Sequence, residues 1–338
     1  MRFILFVLLL SPFFVSSQTY ELSSLSTGTN TSIRGLSVVS DSIAWVSGSN
    51  GYVGKSLDSG KTWKWMQPVG YEQLDFRDIE AFDENRAIIV NAGSPAYILR
   101  TDDGGKSWTA TYKNPDSAVF FDGMDFWDEK RGIVFGDPIQ NKLQLLTTED
   151  GGITWKDISA NLNMDMAQGE AGFAASGTGI KTLAGGKVWI ATGGTKSNIY
   201  TSDDYGGTWK KYDCPILRGG NSTGAFSVDF YNNKLGLVVG GDYRKDKENT
   251  NNVLLTNDGG KSWSRPDRPV YGFRSGVIWY DGKNCFSTGT SGTDVSKDGG
   301  QYWYHISDES FNAIKKAKKG NLVLLAGNKG LIYSLRIK

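Results

Sequence analysis

The pattern Ser/Thr-x-Asp-x-Gly-x-x-Trp occurs six times, as SLDSGKTW (56–63), TDDGGKSW (101–108), TEDGGITW (148–155), SDDYGGTW (202–209), TNDGGKSW (256–263) and SKDGGQYW (296–303). Successive tryptophans are 45, 47, 54, 54 and 40 residues apart. A recurrence of that period marks a repeat architecture, in which no unit buries its own hydrophobic face without a neighbour. The box itself has a mechanical reading. Asp58, Asp103, Asp150, Asp204, Asp258 and Asp298 each fold a carboxylate back onto nearby backbone N–H groups. The closing Trp63, Trp108, Trp155, Trp209, Trp263 and Trp303 then plug between sheets, each indole burying roughly 150–250 Å². Six copies with the same Gly and Trp read as scaffold, not as six calcium or general-acid sites.

Two or three strand-like runs precede each box. In the second unit they are FRDIEAF (76–82), RAIIVNA (86–92) and AYILRT (96–101); in the fifth, AFSVDF (225–230), LGLVVGG (235–241) and NVLLT (252–256). Each unit is therefore three strands, a tight hairpin and a fourth strand opening at the Trp. Short strands between regular turn signals mean an all-β chain, and radial stacking of four-stranded units gives a β-propeller. Residues 311–338 supply three more strands but no box, so the segment 19–26 (TYELSSLS) is expected to close that last blade. The reading is a seven-bladed propeller forming one domain over 18–338, with about 46 residues per blade.

Composition narrows function mostly by exclusion. With 37 basic and 36 acidic residues the formal net charge is +1, which gives no reason to expect nucleic acid as partner. One histidine excludes zinc sites built on several imidazoles and leaves any Ser-His-Asp scheme dependent on His305 alone. Two cysteines, Cys214 and Cys285, cannot hold an iron–sulfur cluster and are read as isolated thiols. No phosphate loop or dinucleotide fingerprint stands in a strand-to-helix context, so no cofactor and no metal is expected. The opening residues, MRFILFVLLLSPFFVSS, form a short positive start, an apolar stretch shorter than a bilayer span and small residues before a cut after Ser17. A signal peptide over 1–17 implies export to a periplasmic or extracellular compartment, soluble and without an anchor after cleavage.

The boxes resemble the Asp box (BNR repeat) of sialidases, sortilin-type receptors, some endoglucanases and the photosystem II stability/assembly factor-like propellers. One box per blade in six consecutive blades is most similar to the assembly-factor group. That resemblance implies a seven-bladed, non-catalytic propeller that holds a protein partner, with Arg residues on its binding face. Sialidases carry an Arg-Ile-Pro segment, an Arg triad and a Tyr–Glu pair. Here the early segment is Ser32-Ile33-Arg34-Gly35-Leu36, without the proline, and neither Arg218 nor the phenols of Tyr243 and Tyr271 stand in a matching context.

A site is expected on the face formed by loops entering each inner strand and loops joining the second and third strands, since function tends to sit on loops carried by a rigid scaffold. Arg34, Arg77 and Asp122 occupy nearly equivalent inner-strand positions, with Arg274 within one residue of that register. Glu170 falls in the loop entering the fourth blade, and Asp137, Asp242 and Arg244 in second-to-third-strand loops. The insertions 156–170 and 242–252 belong to the same face. Arg suits a binding face because its planar fork pairs bidentately with carboxylates. The expected partner is another exported or membrane-associated protein. The rival reading is a carbohydrate-active enzyme acting on a glycan, using two of Asp122, Asp125, Asp137 and Glu170; glycosidase carboxylates stand about 5–9.5 Å apart.

Overall fold

The computed structural model describes residues 18–25 and 28–338; the signal-peptide assignment over 1–17 lies outside the described residues. Seven antiparallel sheets stand around a central channel. From the inside out, blade one is Ile33–Val38, Ala44–Gly48, Val53–Ser56 and Lys64–Met66; blade two is Phe76–Ala81, Ala87–Asn91, Ala96–Thr101 and Thr109–Asn114. Blade three is Phe121–Phe126, Gly132–Ile139, Lys142–Thr148 and Lys156–Asp157, and blade four Ile180–Leu183, Lys187–Ala191, Asn198–Ser202 and Lys210–Asp213. Blade six is Gly276–Trp279, Cys285–Gly289, Gly292–Ser296 and Trp303–Ser307. Among the described residues no helix is long and apolar enough to cross a membrane.

Blade seven closes as expected. Its strands Ala313–Lys316, Val323–Ala326 and Ile332–Ile337 are completed by Tyr20–Leu25, which runs antiparallel to the last of them from Tyr20↔Ile337 to Leu25↔Ile332. Blade five departs from the expected plan. After Thr223–Phe230, Gly236–Asp242 and Val253–Thr256, its fourth strand shrinks to the single bridge Leu255↔Ser264. Pro266 and Pro269 follow, and proline cannot donate to a ladder. The chain instead passes along blade six, where Arg268 bridges Tyr302.

In each of the six motifs the aspartate accepts the backbone N–H four residues on. In the fifth, Asp258 Oδ1 accepts the N–H groups of Lys261 and Ser262 (both 3.0 Å) and Oδ2 accepts the Ser262 hydroxyl (2.6 Å), while Gly260 N–H reaches Thr256 Oγ1 (2.9 Å). Gly260 has φ +87°, the left-handed region that glycine enters without strain. Each box Trp fills the gap between its own blade and the one before. Trp63 joins the apolar cluster of blades seven and one, Trp108 that of one and two, and Trp155 that of two and three. Trp209, Trp263 and Trp303 do the same for the next three gaps. The gap between blades six and seven has no box Trp. There Tyr20 of the first strand meets Phe286 edge-on at 5.6 Å, beside Tyr280 and Tyr333. Cys214 and Cys285 are free, buried thiols, and burial pushes the former up to about 12.

These bonds make a pH prediction. Against the push of burial, the Ser262 hydroxyl and N–H hold the Asp258 carboxyl down at about 2. Such a group stabilises the fold fully above the ordinary carboxylate pKa and stops doing so as pH falls through its folded value. The stability difference between wild type and Asp258→Asn, from urea melts, is therefore expected to hold from pH 7 to about 5 and to be mostly lost by about pH 2. A difference of the same size at pH 6 and pH 2 would refute the assignment.

Candidate functional site at the channel mouth

Register decides which inner-strand side chains reach the channel. The inner strands of blades one, two, three and five each carry a β-bulge, at Arg34, Arg77, Asp122 and Phe226 respectively. A bulge leaves one residue out of the ladder and re-aims its side chain. These four residues, with Ser275 and Asn312 from blades six and seven, line a pocket of about 420 Å³ at the channel mouth.

The pocket floor is a segment that no repeat or motif singles out. Residues 171–179 cross the channel on their way into blade four. Arg34 Nη1 donates to the Ala175 carbonyl (3.1 Å) and Arg77 Nη1 to that of Ala174 (3.4 Å). Asp137 Oδ1 accepts the Gly172 N–H (3.1 Å), and on the far side Ser176 Oγ donates to the Ser275 carbonyl (2.6 Å). Val228 N–H donates to the Thr178 carbonyl (2.9 Å). One small-residue segment thus touches blades one, two, three, five and six. Its glycines are a condition of the fit: a Cβ on Gly177 would stand 2.2 Å from Asp78 Oδ1, and φ there is +67°.

One wall is aromatic. Phe226 stacks on Phe173 at 3.7 Å and meets Phe273 edge-on at 4.7 Å, with Tyr243 above them and 45% exposed. Aligning the inner strands IRGLSV, FRDIEA, FDGMDF and AFSVDF would have put Phe226 beside Arg34, Arg77 and Asp122. Phe173 and Phe273 sit in loops whose course no periodic pattern announces.

The other side carries the charge. Arg77 Nε pairs with Asp75 Oδ2 at 2.7 Å. Arg34 makes no ion pair among the described residues; burial and the neighbouring Arg77 both loosen its proton, yet a guanidinium remains charged. Asp122 is 2% exposed. Burial first and the adjacent Asp137 second raise its pKa well above the carboxylate range, with Arg77 opposing. Burial likewise raises Asp137.

Four expected residues do not join this group. Arg274 is fully buried, its guanidinium held by Asp294 Oδ2 through Nε (2.9 Å) and Nη2 (2.5 Å). The channel-facing position of blade six is Ser275, and a slip of one residue sends a side chain to the other side of a strand. Glu170 is also buried, accepting bonds from Thr192 Oγ1 (2.6 Å), Asn198 Nδ2 (2.8 Å), Tyr200 Oη (3.1 Å) and Ala167 N–H (3.0 Å). It pins the end of the insertion 156–170 and presents nothing to a partner. Asp242 caps its own turn by accepting the Arg244 N–H (3.0 Å), and Arg244 is exposed at the rim, its guanidinium 5.8 Å from the Tyr243 ring centre.

The carboxylates proposed for glycoside hydrolysis are not arranged for it. Asp125 lies toward the opposite mouth and bridges blades three and four through the Thr182 N–H (2.7 Å). Charges pair at that mouth: Lys181 meets Asp229 at 2.9 Å, and Lys318 holds Glu80. Asp122 and Asp137 both meet Gly172, which is packed against Asp122 Oδ2 and donates its N–H to Asp137 Oδ1 (3.1 Å), and with Asp122 2% exposed they leave no open cleft for a sugar between them. His305 lies on the outer strand of blade six, between Asp294 and Asp308 (both 2.9 Å). A larger groove of about 810 Å³ opens between blades three and four on the box face. Its rings are spent on each other, Trp127 meeting Tyr205 edge-on at 5.1 Å and Arg131 covering Tyr205 at 4.3 Å.

Fold and mouth together define a seven-bladed propeller with its channel bridged and a half-polar, half-aromatic hollow above the bridge. No family model and no curated protein matches the sequence. Solved structures do match. YCF48 bound to a D1 peptide superposes with TM-score 0.66 at 16% identity, over 93% of this chain and 94% of that one. YCF48 from Cyanidioschyzon merolae gives 0.65 at 16% identity, over 93% and 98%. The GH74 enzyme of Niastella koreensis gives 0.61 at 15% identity, over 92% of this chain but 53% of its own length. At these identities the likeness is one of fold.

Proposed function

We propose that this chain is an exported, non-catalytic Asp-box propeller of the assembly-factor kind, holding another protein through its channel-mouth face. The observation that carries the reading is Arg34: a half-buried guanidinium without a carboxylate partner among the described residues, at the edge of a pocket walled by Phe173, Phe226, Phe273 and Tyr243. Desolvated arginine beside aromatic rings is the composition of interface hot spots. A segment of extended chain carrying a carboxylate next to an apolar side chain would satisfy both halves. The likeness to a YCF48 solved with a D1 peptide supports a peptide in this role. The burial of Asp122 beneath Gly172 weighs against the glycosidase reading.

The test is crosslinked co-purification from the native host with wild type and an Arg34→Ala/Arg77→Ala variant whose melting curve shows it folded. One dominant protein is expected with wild type, and about tenfold less or lower with the variant. Equal recovery of the same proteins by both would remove this face from the interaction.

A further inference from the structure

Beneath the two arginines lies a buried carboxyl pair that the binding reading does not use. Asp122 reaches it from the inner strand of blade three and Asp137 from the second strand of the same blade. Asp122 Oδ2 is buried and finds no hydrogen-bond donor. Gly172 is pressed against it so closely that a Cβ there would stand 2.1 Å from that oxygen. Asp137 Oδ1 is held by the Gly172 N–H. Two ionised carboxylates gathered on one buried glycine repel, and a single proton held between them relieves that repulsion.

Resting on the carboxylate-binding reading above, we propose that the Asp122–Asp137 pair holds one exchangeable proton and that this proton sets the pocket's affinity for a carboxylate-bearing ligand. The charged neighbours fix the direction. Arg34 faces the pair from blade one, and Arg77 with its partner Asp75 from blade two. The bridge contributes only backbone groups and Phe173, and Phe120 and Phe135 are apolar. Glu170 turns away to Thr192 and Asn198, and Asp78 to the N–H groups of Ile79 and Met124. With its proton the pair carries one negative charge, and the two arginines balance it together with Asp75. Without the proton the group is net negative. A ligand carboxylate on Arg34 and Arg77 adds negative charge beside the pair and favours the protonated form. By reciprocity the protonated pair favours the ligand. Affinity therefore falls as pH rises through the loss of that proton, by at most about tenfold per pH unit.

The probe is N-acetylphenylalanine, a carboxylate beside an aromatic ring, with N-acetylphenylalaninamide as the uncharged control. Binding to the full chain is titrated calorimetrically from pH 5 to 8.5, and carboxyl 13C resonances of the free protein are followed over the same range. The acid is expected to bind at least about tenfold more weakly at the upper end, to take up protons on binding there, and to lose this pH dependence in Asp137→Asn. One Asp carboxyl resonance should titrate above the ordinary range and be absent from Asp122→Asn. A pH-independent affinity of the acid overturns the proton link while leaving the binding reading intact. An unchanged slope in Asp137→Asn, or carboxyls that all titrate normally, also overturns it. An acid that fails to bind at any pH overturns both readings, and the resonances then show whether the shared proton exists by itself.

Discussion

Arg274→Ala is expected to destabilise the protein by about 3–5 kcal/mol and to lower Tm by about 5–8 °C. Arg274 and Asp294 are 0% and 1% exposed, so removing the guanidinium leaves a carboxylate stranded where no water reaches it. The loss spreads, because Asp294 also holds the Tyr271 N–H (2.8 Å) and the His305 ring (2.9 Å), and Arg274 Nη1 reaches Ser291 Oγ (2.6 Å). Replacing both partners, as Arg274→Met/Asp294→Leu, should recover much of the stability, since breaking a buried pair costs more than substituting it with apolar groups. Thermal unfolding of the three variants decides the point. A single alanine variant melting within about 1 °C of wild type would mean that the pair is not buried as described.

The second large effect concerns closure. A chain beginning at Gly28 lacks the strand Tyr20–Leu25, and with it the ladder to Ile332–Ile337 and the ring of Tyr20 against Phe286. Tyr20, Leu22 and Leu25 are only partly buried, so the loss is put at about 3–6 kcal/mol, or roughly 5–9 °C in Tm. Addition of a synthetic peptide of residues 18–27 should restore part of it in a concentration-dependent way. Unchanged melting of the shortened chain would show that blade seven is held by its other three strands.

Most of the scaffold was legible because it repeats. Six boxes pointed to a tryptophan in each of six gaps between blades, and the unit without a box pointed to the segment 19–26 as its missing partner. Legibility failed where an element occurs once. Residues 171–179 are small apart from Phe173 and aperiodic, and only the placement of five blades around them makes a bridge of them. Arg274 was misplaced by one residue because an inner strand turns its side chains alternately in and out. Glu170 read as a free charge because its three side-chain partners, Thr192, Asn198 and Tyr200, come from the next blade. Prolines at 266 and 269 were in plain view, and their meaning for the fourth strand of blade five was a matter of weighing them.

Closure by Tyr20–Leu25 also fixes an order of events. Thr19 and Lys338 exchange both of their backbone hydrogen bonds, at 3.1 and 2.9 Å. During synthesis the first of these partners is made long before the second. Until then the strand waits unpaired, and blade one has no blade seven against which to bury Trp63. The ring is therefore a latch that stays open until Ile332–Ile337 has been made. A chain halted before Ile332–Ile337 is left as an open crescent with two raw edges for proteases and chaperones to find.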